Sequence, residues 1–111
     1  MTDDARSDLI PGTLDMLVLK TLSVGPLHGY AIAQHIEKLS EEVLQVEQGS
    51  LYPALERLQG TGLIVGKWGV SPTGRRARYY TISASGRRRL GQEISDFDKR
   101  SLAIARVLGR A

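Results

Sequence analysis

The C-terminal segment carries the pattern that most restricts the fold. Between Ser83 and Leu108 the apolar side chains follow a 4-3-4-3-4 spacing with Ser101 as its one polar member: Leu90, Ile94, Phe97, Ile104 and Leu108. This spacing is typical of the seam of a coiled coil. A helix of about 24 residues is about 36 Å long, and the remainder of a 111-residue chain is too small to cover its stripe. The pattern predicts a homodimer in which this helix packs on its twin or on the twin's first helix.

Three shorter helices are predicted before this segment. The first is the apolar run that follows Pro11-Gly12 and ends at Gly25-Pro26. The second fits His28 to Leu39, with its core face at i, i+4 and i+7. The third begins after Ser50 as N-cap, which places Pro53 at a helical position where no intrahelical donor is yet required. A connector, with a short edge strand as one interpretation, separates the second and third helices.

A hairpin is predicted between the third and the last helix. LIVGKW and ARYYTI are short runs rich in β-branched and aromatic residues, and the turn-forming SPTG separates them. Because side chains alternate along a strand, Arg78 and Tyr80 share one face, and Tyr79 and Thr81 share the other. Three helices followed by a hairpin predict a mostly α (α+β) fold, a winged helix-turn-helix with a long C-terminal dimerisation helix.

The predicted organisation has three parts. Residues 1–10 are polar and without periodicity, which favours a flexible N-terminal tail. Residues 11–83 form the winged helix-turn-helix domain, and residues 84–111 form the dimerisation helix. No apolar run reaches the ~18 residues of a membrane span, and the acidic N-terminus is unlike a secretory signal. We therefore expect a cytoplasmic protein with no membrane partner.

The charges are strongly segregated along the chain. Residues 1–56 hold three basic and nine acidic side chains, whereas residues 57–92 hold eight basic side chains and no acidic one. Such a block is typical of a protein that binds a polyanion, although a basic block can also be a solvated face. The chain has no cysteine, no phosphate-binding loop and no pattern of nucleophile, base and acid. We therefore expect no catalytic residues and no cofactor. We also expect no metal site, because His28 and His35 are two helical turns apart and lack a third ligand.

The sequence also resembles a known family. The motifs GPLHGYAIAQHI (25–36), GSLYPALERLQGTGLI (49–64) and GRRARYYTISASGRRRL (74–90), together with Trp68, are similar to those of the PadR transcriptional regulators. The single short C-terminal helix resembles the smaller PadR subfamily. The resemblance implies a dimeric bacterial or archaeal repressor of its own gene or a neighbouring one, which binds double-stranded DNA at a pseudo-palindromic operator. In some members of the family a small molecule bound between the subunits releases the DNA, so the resemblance also raises a small-molecule effector as an expectation.

Residue chemistry and this resemblance together give a set of candidate DNA contacts. Ser50 and Tyr52 can donate hydrogen bonds to phosphate at the start of the third helix, and amide or guanidinium groups match base edges. For His28 two roles are equally compatible with the sequence: contact with phosphate, or a structural role in which it caps the helix or bonds to the backbone. The candidate contacts are Tyr30, Gln48, Ser50, Tyr52, Arg57, Gly74, Arg75, Arg76 and Tyr80.

A separate prediction concerns the effector. A cavity at the dimer interface would be lined by Ile94, Phe97, Leu102 and residues of the first helix, and a filled interface without a cavity is equally compatible with these residues. In many relatives a tryptophan that can stack on flat ligands stands where Phe97 lies here, so this chain keeps an apolar ring without the indole donor. The competing hypothesis for the whole chain is a winged-helix module that binds an acidic protein and has no operator.

Overall fold

The computed structural model describes residues 7–8 and 11–110. Within these residues the helices are α1 (Pro11–Leu22), α2 (Gly29–Leu39), α3 (Gln48–Gly60) and α4 (Ala84–Val107). The strands are β1 (Ser7–Asp8), β2 (Leu27–His28), β3 (Leu44–Gln45), β4 (Ile64–Val70) and β5 (Arg76–Ile82). This order confirms the predicted mixed fold of helices followed by a hairpin and a long last helix.

The hairpin of β4 and β5 belongs to an antiparallel sheet of order β2-β5-β4. Its register runs from the pair Ile64 and Ile82 at the base to the pair Val70 and Arg76 near the tip. The base is anchored in the core, since Ile64 and Ile82 are both buried. The tip extends beyond the core, and we call this hairpin the wing.

The core lies between α1 and the elements packed around it. Helix α1 contacts α2, α3 and α4, so it is the central helix of the domain. Helix α1 packs against several neighbours at once, which explains why apolar residues lie almost all round it. The buried core consists of Leu14, Met16, Val18, Leu19, Leu22, Ile32, Ile36, Leu51, Ala54, Leu55, Leu58, Leu63, Ile64, Tyr80, Ile82 and Leu90.

The starts of α2 and α3 differ from the prediction. Helix α2 begins at Gly29, one residue later than predicted, and the Nδ1 of His28 accepts a hydrogen bond from Ala31 N at 3.2 Å. His28 is therefore an N-cap. Helix α3 begins at Gln48, and its N-cap is Glu47, not Ser50. The prediction for Ser50 was wrong because the Ser50 and Leu51 N–H groups both already donate to the Glu47 carbonyl.

The structure describes only part of the predicted N-terminal tail. Most of the predicted tail, residues 1–10, lies outside the described residues. Ser7 and Asp8, however, form β1, which pairs in parallel with Leu44 and Gln45 of β3. The predicted short strand in the connector therefore exists, and its partner is a part of the segment that the sequence assigned to a tail.

Helix α4 matches the sequence prediction closely. Ser83 is its N-cap, with the side-chain oxygen accepting from Gly86 N, and Leu108 is its C-cap. Arg87 Nη1 donates to the Ser23 carbonyl just after α1, at 3.2 Å, which joins the two helices. Leu90 differs from the rest of the predicted dimer stripe, because it is only 8% exposed and lies in the core. Its burial leaves little of the side chain to meet a partner, and the exposed part of the stripe begins at Ile94.

Candidate nucleic-acid interface

The tip of the wing is a turn that stabilises itself. Gly74 N donates to the Ser71 carbonyl at 2.8 Å, and Ser71 N donates to the Arg75 carbonyl at 2.7 Å. The Ser71 hydroxyl accepts a further bond from Arg75 N at 3.1 Å. Gly74 has φ of 85°, a left-handed conformation that glycine adopts without steric cost. The turn therefore holds the exposed Arg75 at the end of the wing.

Two arginines of the wing stack on its tryptophan. The guanidinium carbon of Arg76 lies 4.7 Å from the centre of the Trp68 ring, and that of Arg78 lies 5.8 Å from it. Trp68 and Arg78 are paired across the two strands, so Arg76 is their diagonal neighbour on the same face. Cation–π attraction of this kind orders a guanidinium over a ring while its N–H edges stay available. The wing thus presents preordered cations.

The start of α3 presents polar groups beside this surface. Glu47 makes no side-chain cap bond, so α3 begins without a side chain on its first N–H groups. These groups and the helix dipole favour an anion at this end. Gln48, Ser50 and Tyr52 are all exposed in this part of the helix. An ideal Cβ on Gly29 would lie 3.1 Å from the Tyr52 hydroxyl, so glycine there lets Tyr52 lie against the start of α2.

A cleft of about 370 Å³ separates the wing from these helix starts. Its lining includes Tyr30, Tyr52, Trp68, Arg76 and Arg78. Tyr30 is 60% exposed, and its hydroxyl accepts a bond from Gln34 Nε2 at 3.2 Å. The cleft combines phenol hydroxyls, which donate to phosphate, with guanidinium groups, which bind it through charge. Its chemistry suits a phosphodiester backbone passing between α3 and the wing.

The structure brings most of the predicted contacts to this region. Tyr30, Tyr52 and Arg76 border the cleft, and Gln48 joins Tyr30 and Tyr52 around an adjoining hollow of about 230 Å³. Gly74 and Arg75 lie at the wing tip. Contact of these residues with DNA stays a prediction.

Two of the predicted contacts are already engaged within the protein. Tyr80 borders the cleft, but it is only 5% exposed and belongs to the core, so little of it is left to reach DNA. Burial raises the pKa of Tyr80 above its ordinary value, and the nearby Arg78 acts in the opposite direction. Arg57 points to α1, where its Nη2 lies 2.9 Å from Asp15 Oδ1 in a half-exposed ion pair. Base readout by Arg57 would require breaking this pair.

Two residues of the interface were not predicted from sequence. Trp68 was noted only as part of a motif, and Arg78 only as sharing a strand face with Tyr80. The signal was present in the hairpin itself, because a turn at residues 71–75 pairs Trp68 with Arg78. An aromatic residue opposite an arginine on an exposed strand pair is a stacking arrangement.

Helix α4 carries a second exposed surface. Apolar side chains that contact solvent continue along the helix beyond Leu90: Ile94, Phe97, Ile104 and Leu108 follow the predicted stripe, whereas Leu102 and Val107 lie on other sides of the helix. Phe97 is 43% exposed although it lies in the middle of the helix. Neither the predicted dimer contact nor the effector cavity is tested by a single chain, and both stay predictions.

None of the helices among residues 11–110 has the length and apolar character needed to cross a lipid bilayer.

Comparison with known proteins identifies the family. The model of the transcriptional regulator PadR-like family matches residues 18–92, which is more than half of the chain. A transcriptional regulator from Clostridium thermocellum has a similar structure, with a TM-score of 0.79 and 27% identity over 86% of this chain and 92% of that one. A PadR-like transcriptional regulator from Bacillus cereus gives a TM-score of 0.74 and 28% identity, over 87% and 92% of the two chains.

A sequence relative extends this comparison. An uncharacterised protein from Lysinibacillus sphaericus is 28% identical over 92 residues, which are 83% of this chain and 84% of that protein. Its name carries no function, so the assignment depends on the family match and the solved structures. Because the family model covers more than half of the chain, this protein belongs to the PadR-like family of transcriptional regulators.

Proposed function

We propose that a homodimer of this chain binds a pseudo-palindromic operator in double-stranded DNA and represses its own or a neighbouring gene. The role places the protein in the cytoplasm of a bacterial or archaeal cell. The observation that carries the proposal is the cleft where the start of α3 faces the stacked arginines of the wing. Family membership supports the same conclusion.

In this proposal helix α3 and the wing have different roles on the DNA. Helix α3 would enter the major groove by its N-terminal residues, where Gln48 can reach base edges and Ser50 and Tyr52 can reach phosphate. The wing would bring Arg75 and Arg76 to the adjacent backbone or minor groove. Phosphate contacts supply affinity without sequence information, whereas base contacts supply sequence choice. Sequence choice is therefore expected to come mainly from α3.

The exposed stripe of α4 supports dimerisation. Pairing of Ile94, Phe97, Ile104 and Leu108 with a second subunit would remove apolar surface from water, which is the main driving force of such association. A two-fold dimer places two α3 helices in successive major grooves about 34 Å apart. The operator should then be pseudo-palindromic, because its half-sites mirror the symmetry of the protein.

We also propose that a small-molecule effector weakens DNA binding from the dimer interface. Ile94, Phe97 and Leu102 would line its site, and a flat apolar ligand fits their chemistry. Without an indole at Phe97 the ligand is held by ring contact alone. Aromatic and cationic compounds should be screened by their ability to displace labelled operator from the protein. If none displaces it, an effector of these classes is excluded.

The function is tested by fluorescence anisotropy with DNA from upstream of the protein's own gene. About four phosphate contacts per subunit give a log–log salt slope of roughly −7 for the dimer between about 50 and 300 mM salt. Promoter DNA should bind more tightly than random DNA. A flat salt dependence, or equal affinity for random DNA, would contradict an operator-binding regulator, and the first result would favour the protein-interaction hypothesis.

A matched pair of variants tests the wing. Arg75→Ala with Arg76→Ala removes two cations from the wing of each subunit, and it should weaken operator and random DNA alike while flattening the salt slope. Lys99→Ala with Arg106→Ala removes the same charge from the side of α4 away from Phe97, and it should leave the slope unchanged. Equal effects of the two pairs would show that net charge, not the wing, determines binding.

A further inference from the structure

Arg78 connects the wing directly to the recognition helix α3. Its Nη2 donates a hydrogen bond to Gln59 Oε1 at 3.0 Å. Gln59 is the second-last residue of α3, and Arg78 lies in the middle of β5. The bond therefore joins the C-terminal end of the helix to the strand that carries Arg76. The two side chains are 19 residues apart in sequence, so the contact is tertiary.

A glycine in the neighbouring strand makes room for this contact. An ideal Cβ on Gly66 would lie 2.6 Å from Arg78 Nε and 2.8 Å from Gln59 Oε1. Both distances are shorter than real Cβ atoms show, so any other residue at Gly66 would displace the pair. Glycine inside a strand otherwise weakens it and often marks a close approach of other groups. Gly66 thus serves the contact between Arg78 and Gln59.

The pairing does not have the form expected of a stabilising ion pair. Arg78 is half-buried, its Nε has no hydrogen-bond partner, and its acceptor is a neutral amide. Within the part of the chain that the structure describes, no carboxylate lies within ion-pair distance of it. A partly buried cation without a carboxylate is costly. A buried donor without a partner in a native structure calls for a specific explanation.

The bond between Arg78 and Gln59 lies where the wing meets α3. The start of α3 and the cation at Arg76 face each other across the cleft, and both have to meet one DNA duplex at a fixed separation. Arg78 lines the same cleft, and its guanidinium lies 5.8 Å from the ring of Trp68, on which Arg76 also stacks. A directional bond from this guanidinium to α3 restricts the angle between the wing and the helix.

We infer that Arg78 is a positioning residue that sets the angle of the wing against α3 through Gln59 and is not itself a phosphate contact. This inference rests on the proposed function, because the fixed angle matters for docking both elements on DNA. The partner that is recognised is the backbone of a B-form duplex, which α3 and the wing reach at the same time. Loss of either Arg78 or Gln59 should therefore have the same consequence.

The test compares three variants that remove one group each: Arg78→Met, Gln59→Met and, as the matched control, Arg76→Met. Operator affinity and salt slope are measured by anisotropy for the variants and for the double variant of Arg78 and Gln59. We expect Gln59→Met and Arg78→Met each to weaken binding about tenfold, with the double variant no worse than either. Their salt slopes should equal that of the original protein. Arg76→Met should reduce the slope by about 1.8 for a dimer.

A second measurement uses the free protein. Trp68 is the single tryptophan of the chain, so its fluorescence anisotropy decay reports wing motion without DNA. Gln59→Met, which changes no charge and leaves both arginines on the ring, should increase the fast component of the decay. Gly66→Ala should do the same, because its Cβ displaces the pair. These two variants also keep the test valid if Arg78→Met fails to fold.

The outcomes separate this inference from the proposed function. If Arg78→Met reduces the salt slope as Arg76→Met does, and Gln59→Met leaves affinity and Trp68 motion unchanged, Arg78 is a phosphate contact and the inference is wrong. If the original protein shows no preference for its own promoter, the proposed function fails instead. The Trp68 measurement then still decides whether Arg78 and Gln59 restrict the wing.

Discussion

Gly86 and Gly91 both lie in the first half of α4, but their surroundings differ. An ideal Cβ on Gly86 would lie 2.1 Å from the Leu63 carbonyl oxygen and 2.7 Å from Ile82 Cγ1, whereas Gly91 has nothing within 4 Å. Gly86→Ala should therefore force α4 away from the wing base and lower the free energy of unfolding by about 2 kcal/mol. Gly91→Ala should raise it by about 1 kcal/mol, because alanine is the better helix former.

Urea denaturation at one fixed protein concentration measures both glycine variants. The same substitution in the same helix should change stability in opposite directions, so each variant serves as the control of the other. Destabilisation by both would mean that Gly91 also lies at a close contact, as it would if a partner subunit packed there.

Tyr80 should make stability fall at alkaline pH. Because burial raises its pKa above the ordinary 10.0, the unfolded chain loses this proton before the folded one does. The stability due to the neutral phenol is complete below pH 10.0 and is lost as the pH rises through the higher folded-state pKa. Tyr80→Phe should show a shallower fall in the free energy of unfolding above that pH. Denaturation curves of both proteins in this range check it, and parallel curves would contradict it.

The surroundings of single side chains were the hardest to predict from the sequence. Strand alternation correctly placed Arg78 and Tyr80 on one face, but it cannot say which face packs on the helices. Tyr80 was therefore assigned to DNA although it lies in the core. Arg57 shows the same difficulty, because its partner Asp15 is 42 residues away in sequence. Such contacts depend on how α1 and α3 pack, and local patterns do not contain that information.

At the scale of elements, one hydroxyl both caps α4 and bonds to the turn that precedes the wing. Ser83 Oγ accepts from Gly86 N at 3.0 Å and lies 2.7 Å from the Gly62 carbonyl, to which it donates. Ser83→Ala should lower the free energy of unfolding by about 1–2 kcal/mol, since it removes an N-cap together with a tertiary bond. Thermal or urea denaturation measures the loss.

Ser85 provides the control for this prediction. Its hydroxyl donates to the same Gly62 carbonyl at 3.1 Å, but it does not cap the helix. Ser85→Ala should cost about 0.5 kcal/mol, the low end for a single exposed bond. Equal losses for the two variants would show that the cap adds nothing at this junction.

Elements with a strong period were predictable, and their ends were less so. The hairpin was recognised from its turn residues, and α4 from its spacing and its Ser83 cap. The start of α3 was misplaced because Ser50 has good capping chemistry, whereas the backbone around Glu47 already forms the first helical turn. A suitable side chain is only one way to begin a helix, since packing can place the first turn earlier.

The overall fold was predictable because the patterns that determine it extend over the whole chain. The order of three helices, a hairpin and a last helix determines a small set of packings, and the basic block falls on the part that includes the wing. What the sequence could not provide was the relation between elements: the angle of the wing, the cleft beneath it and the contact of Arg78 with Gln59. These depend on small spaces such as that at Gly66, which no period reveals.

At the scale of the whole molecule, the proposed dimerisation is the property that we expect to affect DNA binding most. Phe97 lies in the middle of the exposed apolar stripe of α4, so Phe97→Glu would place a charge at the proposed interface. Burying an unpaired carboxylate against apolar residues is strongly unfavourable. The variant should become monomeric at micromolar concentration, and its helical content should change little because the side chain is exposed in the single chain.

Ser95→Glu is the matched control, since it adds the same charge on the side of α4 away from the seam of Ile94, Phe97, Ile104 and Leu108. Light scattering should show a dimer for this control and a monomer for Phe97→Glu. A monomer contacts one half-site, so its salt slope should fall to about half, near −3.5, and its operator affinity should fall by more than tenfold. If Phe97→Glu stays dimeric, the seam lies on another face of α4. If it is monomeric but binds as before, one subunit is sufficient for recognition.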